Sequence, residues 1–168
     1  MTGPEAQERA RRGLEAAGVD FEITRHGRVG SLAEAAAARG LEPHQVLKTL
    51  VVRRGDGDFL FVLVPGGRTI AWPKLRSLLG ANRLSMPDAD VAREVTGYER
   101  GTITPFGATT DWPVVADASV AGAGRVSVGA GGHGVAATLD ADDLVRVLGA
   151  EVADVTDPDP PPGSEDRG

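Results

Sequence analysis

The sequence has no cysteine at all. That excludes disulfides, thiolate nucleophiles and cysteine-ligated zinc together, and it fits a reducing compartment. No apolar run approaches the ~20 residues that span a bilayer. Met1 to Arg12 is polar and charged, so neither a signal peptide nor a membrane partner is expected and the expected location is the cytoplasm. Lysine is nearly missing: of 18 basic residues only Lys48 and Lys74 are lysines. His26, His44 and His133 share no ligand spacing, and no carboxylate completes a set with them, so neither a metal nor any other cofactor is expected. No Walker lysine and no GxGxxG run opening a helix is present, which argues against nucleotide folds. Ser31, Ser77, Ser85, Ser119, Ser127 and Ser164 lack a nucleophile-elbow context. The net charge of −6 argues against a broad nucleic-acid cradle, and DNA is not an expected partner. Half of that surplus lies in the stretch from Thr156, where Asp157, Asp159, Glu165 and Asp166 face Arg167 alone. A local basic face on the body is still compatible with the total.

The 168 residues suit one domain plus short extensions, long enough to enclose a core. Glu5 to Ala17 has amphipathic spacing between Pro4 and Gly18, which predicts a helix. Val19 to Thr24 alternates as a strand. Ser31 with Glu34 makes a capping-box pattern ahead of a helix ending at Gly40, and a short turn is expected at Pro43 to Gln45. Val46 to Arg53 and Phe59 to Val64 are the clearest strands, joined as a hairpin through Gly55 to Asp58. Further strands are expected at Arg68 to Ala71, Arg83 to Ser85, Trp112 to Ala116, Arg125 to Val128 and Val135 to Thr138, with a last extended piece at Glu151 to Val155. Helices are expected at Pro73 to Leu79, Pro87 to Val95 and Asp140 to Leu148. From Thr156 onward there is nothing to bury, so residues 156–168 are expected to be a disordered acidic, proline-rich tail on a domain of residues 5–155. Mixed strands and helices, with hairpins and few βαβ units, predict an α+β fold on a largely antiparallel sheet.

Three features could carry chemistry. Lys48 shares a strand face with Val46, Leu50 and Val52, while Leu47, Thr49 and Val51 point the other way. Both faces are apolar, so the strand is expected to be central. Its lysine must then snorkel, pair or line a cavity, because an unpaired buried ammonium is costly. The loop from Arg100 to Gly107 has glycines at 101 and 107 and an extended Thr104 ahead of Pro105. It reads either as a surface loop or as a loop that aims backbone groups at a ligand. Gly129 to Gly134 reads either as a flexible hairpin loop or as a backbone nest.

In this order, Gln45 to Val52, Thr96 to Gly107 and Val128 to Gly134, followed by Leu139 to Leu144, resemble the YbaK/prolyl-tRNA synthetase-associated editing domain. The match runs over roughly residues 5–155. The resemblance implies an α+β fold with a twisted, barrel-like, largely antiparallel mixed sheet surrounded by helices. It also implies hydrolysis of the ester of a mischarged tRNA, in a pocket for the aminoacyl-tRNA 3′ end and in a free-standing form that works beside a synthetase. By the same resemblance, the catalytic set would be Lys48, Gly101 and Thr104. Substrate-binding positions would be His26, Thr102, Pro105, Phe106, Gly107, Gly129, Gly131 and His133. Thr104 and Gly129 stand where relatives often carry serine, and His133 where a basic residue is common. Alanine or cysteine on tRNA(Pro) is the expected substrate. The alternatives are a non-catalytic module that docks on tRNA or a synthetase, and a hydrolase of some other small ester.

Overall fold

The computed structural model describes residues 4–27 and 29–159. The chain opens with helix α1 (Pro4–Ala17), whose Ala6, Ala10 and Leu14 are buried at four-residue spacing. Gly18, at φ 74°, ends it. Strand β1 (Phe21–Arg25) leads to helix α2 (Leu32–Ala38), where the Ser31 hydroxyl accepts the Glu34 amide at 3.1 Å. A turn of 3-10 helix at Pro43–Gln45 precedes the hairpin of β2 (Leu47–Gly55) and β3 (Asp58–Pro65). Then come β4 (Arg68–Ile70), α3 (Trp72–Leu79), α4 (Ala89–Thr96) and β5 (Val114–Asp117). The chain continues through β6 (Arg125–Gly129), β7 (Val135–Asp140), α5 (Ala141–Leu148), β8 (Glu151–Ala153) and β9 (Thr156–Pro158).

These strands form a sheet of order β1-β7-β6, a sheet of order β2-β3-β5-β8 and the pair β4-β9. Four of the pairings are antiparallel; β3–β5 and β5–β8 are parallel. A single parallel bridge, Val46 to Ser127, joins the larger sheets at the start of β2, making the arrangement barrel-like. The fold is therefore the α+β, largely antiparallel, mixed-sheet architecture expected from the sequence. One core fills the space between the two sheets, with α1, α5 and the Tyr98 segment closing it. A second core lies on the far face of the four-stranded sheet, under Leu75 of α3 and Val155. Among the described residues no helix is long and apolar enough to cross a membrane.

Three expectations change. Strand β2 is not central but sits at an edge of its sheet. Its two apolar faces reflect two separate cores, not two flanking strands. Arg83 to Ser85 is no strand; it contributes one bridge, between Ser85 and Arg53. Thr156 to Pro158, expected to begin the tail, is the strand β9. Thr156 is fully buried, and its hydroxyl accepts the Arg68 Nε–H at 2.6 Å. The expectation for residues 160–168 falls outside the described residues.

Candidate functional site

A cavity of about 350 Å³ opens where the two sheets part beyond the Val46–Ser127 bridge. Residues 46–51, running into β2, form one wall. Opposite stand Gly129, Gly132, Gly134 and Val135; Gly101 and Ile103 of the long loop join them. Met86, Pro87 and Ala89 lead in from the start of α4, which Asp88 caps by accepting the Val91 amide at 2.9 Å. Among the described residues three cations stand on this wall, Arg39, Lys48 and Arg100, and no carboxylate does.

Lys48 is exposed, although its face-mates Leu50 and Val52 become progressively more buried along β2. The second core covers Val52 and its neighbour Leu60 but stops short of Lys48. The ammonium thus stays in water at the cavity wall while its strand is anchored elsewhere. Thr49, on the opposite face, is buried, and its hydroxyl has no hydrogen-bond partner among the described residues.

The long loop is held from behind. Tyr98 is fully buried and donates its hydroxyl to the Phe106 carbonyl at 2.6 Å. Burial pushes that hydroxyl up to about 12, against a smaller opposing pull from Arg9. The Arg9 guanidinium lies 4.8 Å over the Tyr98 ring and donates to the carbonyls of Gly97 and Gly107 at 2.7 and 3.2 Å. Gly107, at φ 71°, lies so close to α1 that a Cβ there would sit 2.2 Å from the Arg9 carbonyl oxygen. Thr102 donates its hydroxyl to the Glu99 carbonyl at 2.7 Å, and its own carbonyl accepts the Gly131 amide at 3.0 Å. The two glycine loops are thereby one unit.

Of the residues singled out in the sequence, Lys48, Gly101 and Gly129 meet on the cavity. The others do not line it. Thr104 is fully buried, and its hydroxyl accepts the Phe106 amide at 3.3 Å, so its extra methyl does not narrow the cavity. Thr102, Pro105 and Phe106 are buried in the loop's own scaffold, and Gly107 packs on α1. Gly131 also packs on α1, where a Cβ would lie 2.6 Å from the Ala6 carbonyl oxygen. His133 is exposed, 3.7 Å from the Glu99 carboxylate, in a neighbouring depression it shares with Arg93 and Arg100. His26 lies beside Arg39. Arg39 and Arg100 went unnoticed in the sequence, where arginine is too common to draw attention. The one signal that could have pointed to Arg39 is its position at the end of a capped helix, four residues before the Pro43–Gln45 turn into β2.

Among the described residues, no His, Asp and Glu side chains gather in a group able to hold a metal. Among the described residues the wall carries no carboxylate, histidine or serine, so the cavity can bind an anion and orient groups but holds no paired acid and base.

A family model described as the aminoacyl-tRNA editing domain matches residues 26–147. The proline–tRNA ligase of Syntrophotalea carbinolica is 31% identical over 132 residues, covering 74% of this chain and 23% of that protein. That of Bacillus licheniformis is 29% identical over 102 residues, covering 61% of this chain and 18% of the ligase. The chain thus spans about a fifth of the length of these curated relatives. A solved structure described as a candidate trans-editing enzyme for prolyl tRNA synthetase superposes with a TM-score of 0.83 at 26% identity, covering 94% of this chain and 99% of the other.

Proposed function

Since the chain belongs to the aminoacyl-tRNA editing domain family, we propose that it is a trans-acting deacylase that hydrolyses the ester of a mischarged tRNA. The observation that carries this reading is the charge of the cavity: a protein of net charge −6 lines its cavity with three cations and no acid. Such a wall attracts the phosphates of an RNA 3′ end. An aminoacyl ester is already activated, so holding it against one water supplies much of the acceleration without a protein nucleophile. Lys48 is the catalytic cation in this reading, reaching the ester or the terminal ribose from β2. Gly101, at φ 89°, presents backbone to the substrate, and Gly129 leaves room for the long loop against β6. Thr104, Thr102, Pro105, Phe106, Gly107 and Gly131 act behind the wall, by fixing the two loops. The apolar part of the wall, Leu47, Val51, Ile103 and Val135, selects a small side chain by size. One methylene changes such selection by only ~1–3 kcal/mol. Alanine and cysteine on tRNA(Pro) are the proposed substrates, and a synthetase is the proposed partner.

A panel of tRNAs charged with alanine, cysteine, serine and proline, including mischarged tRNA(Pro), tests this. Release of one non-cognate amino acid above the spontaneous rate is expected. The second reading, a non-catalytic module that only seats the tRNA end, is favoured by the lack of any acid, histidine or serine on the wall. Saturable tRNA binding with no release from any member of the panel would select it.

A further inference from the structure

Arg39 follows α2 as its C-terminal cap residue and is half-buried on the cavity wall. Its Nη1 donates to the Ser127 hydroxyl at 3.0 Å, and its Nε donates to His26 Nε2 at 3.4 Å. The second bond requires His26 to be neutral, with its proton on Nδ1, where the Gly27 carbonyl lies 2.9 Å away. Both partners of the guanidinium are therefore uncharged, and no carboxylate pairs with it among the described residues. Other half-buried arginines are answered differently. Arg54 donates twice to the Asp58 carboxylate, Arg68 bonds Thr156 and approaches Asp117, and Arg9 spends its fork on two carbonyls and a ring. Burial lowers the Arg39 pKa from the ordinary arginine value, the sign of a cation partly stripped of water without a counter-charge. Two of its five N–H donors are spent. A planar fork with donors to spare, at the edge of a cavity, matches a phosphate oxygen pair.

Its place adds a direction. Ser127, which holds Arg39, is the residue bridged to Val46, so Arg39 stands where the two sheets join. Lys48 lies two residues farther along the same strand, about 7 Å of extended chain. The two cations can therefore hold two different groups of one substrate.

Building on the reading of the cavity as a seat for an aminoacylated RNA end, we propose that Arg39 is its phosphate-positioning residue, donating to the phosphodiester that precedes the terminal nucleotide and leaving Lys48 for the ester and ribose.

The test uses an uncharged single-stranded RNA ending in CCA, so that nothing is hydrolysed, with affinity measured from 50 to 200 mM salt. Arg39→Gln is expected to weaken binding about tenfold, as loss of a charged hydrogen-bonding partner does. It should also flatten the salt slope by about 0.7, the value for one phosphate contact on a single strand. Arg39→Lys, which keeps the charge but not the fork, should restore the slope and only part of the affinity. A merely structural brace between α2 and β6 would give two variants of equal affinity and unchanged slope, and that result overturns the assignment. So does the absence of measurable RNA binding by the unaltered protein. The deacylase reading fails separately. No amino-acid release combined with a slope that depends on Arg39 keeps the phosphate seat and removes the editing reaction. Release unaffected by Arg39→Gln, combined with unchanged RNA affinity, does the reverse.

Discussion

Gly129 is the residue at which local chemistry and long-range packing are easiest to separate. A Cβ built there would lie 2.7 Å from the Ile103 carbonyl oxygen and 3.2 Å from that of Thr102. The absence of a side chain is what lets the long loop lie against β6, so a serine at this position forces the loop outward. Gly129→Ser should cost about 1–3 kcal/mol, as overpacking does, and lower the melting temperature by several degrees in a thermal scan. Tyr98→Phe tests the same loop from behind. It leaves the buried Phe106 carbonyl without its donor and should cost about 1–3 kcal/mol in denaturant unfolding, with a looser loop and slower turnover. Rarity made both lysines conspicuous in the sequence, but only the structure tells them apart. Lys48 faces the cavity, whereas Lys74 bridges the Asp154 and Asp157 carboxylates at 3.1 Å each and ties α3 to the C-terminal strands. Arg39 was not legible, because its meaning depends on Ser127, 88 residues away.

At the scale of elements, most helices were legible from their ends. Ser31, Asp88 and Asp140 accept amides as caps, and Gly80, Gly97 and Gly149 take positive φ after the last turn. The strands were legible as strands but not in their order. An apolar run on both faces reads as a central strand, and β2 has that run because each face meets its own core. Likewise the glycines of the 129–134 loop read either as a flexible hairpin loop or as a backbone nest, whereas Gly131 and Gly132 are small because α1 presses on them. Strand β9 was missed because it is three residues long and rich in Pro and Asp; its stability comes from partners elsewhere. Chief among these is Asp117, a buried carboxylate that accepts the Val155 and Ser119 amides at 3.1 and 3.0 Å. Burial alone would raise its pKa. Hydrogen bonds from Ser119, Val155 and Thr156 outweigh burial and hold it below the ordinary carboxylate value. A depressed folded pKa means the contribution is complete above the ordinary Asp range and is lost as pH falls through the folded value. The unfolding free energy of the unaltered protein should therefore fall below about pH 4, toward that of Asp117→Asn, which should lack this acid-sensitive component. Deletion from residue 156 onward should likewise destabilise the fold, because it removes the strand paired to β4, whereas deletion from residue 160 leaves that pairing intact.

Across the whole molecule, charge is sorted rather than spread. The chain carries a net charge of −6, yet among the described residues the cavity wall holds three cations and no acid. Few phosphates can be held by so small a patch, so affinity for tRNA should fall only modestly with salt compared with a broad basic surface. The account's central claim is that this cavity hydrolyses an aminoacyl ester through Lys48. The most direct measurement is single-turnover deacylation of mischarged tRNA(Pro) by the unaltered protein and by Lys48→Ala, with thermal unfolding of both. Lys48 is exposed, so the variant should keep its melting temperature and lose about a hundredfold or more in rate. A folded Lys48→Ala protein that deacylates as fast as the unaltered one would contradict the account.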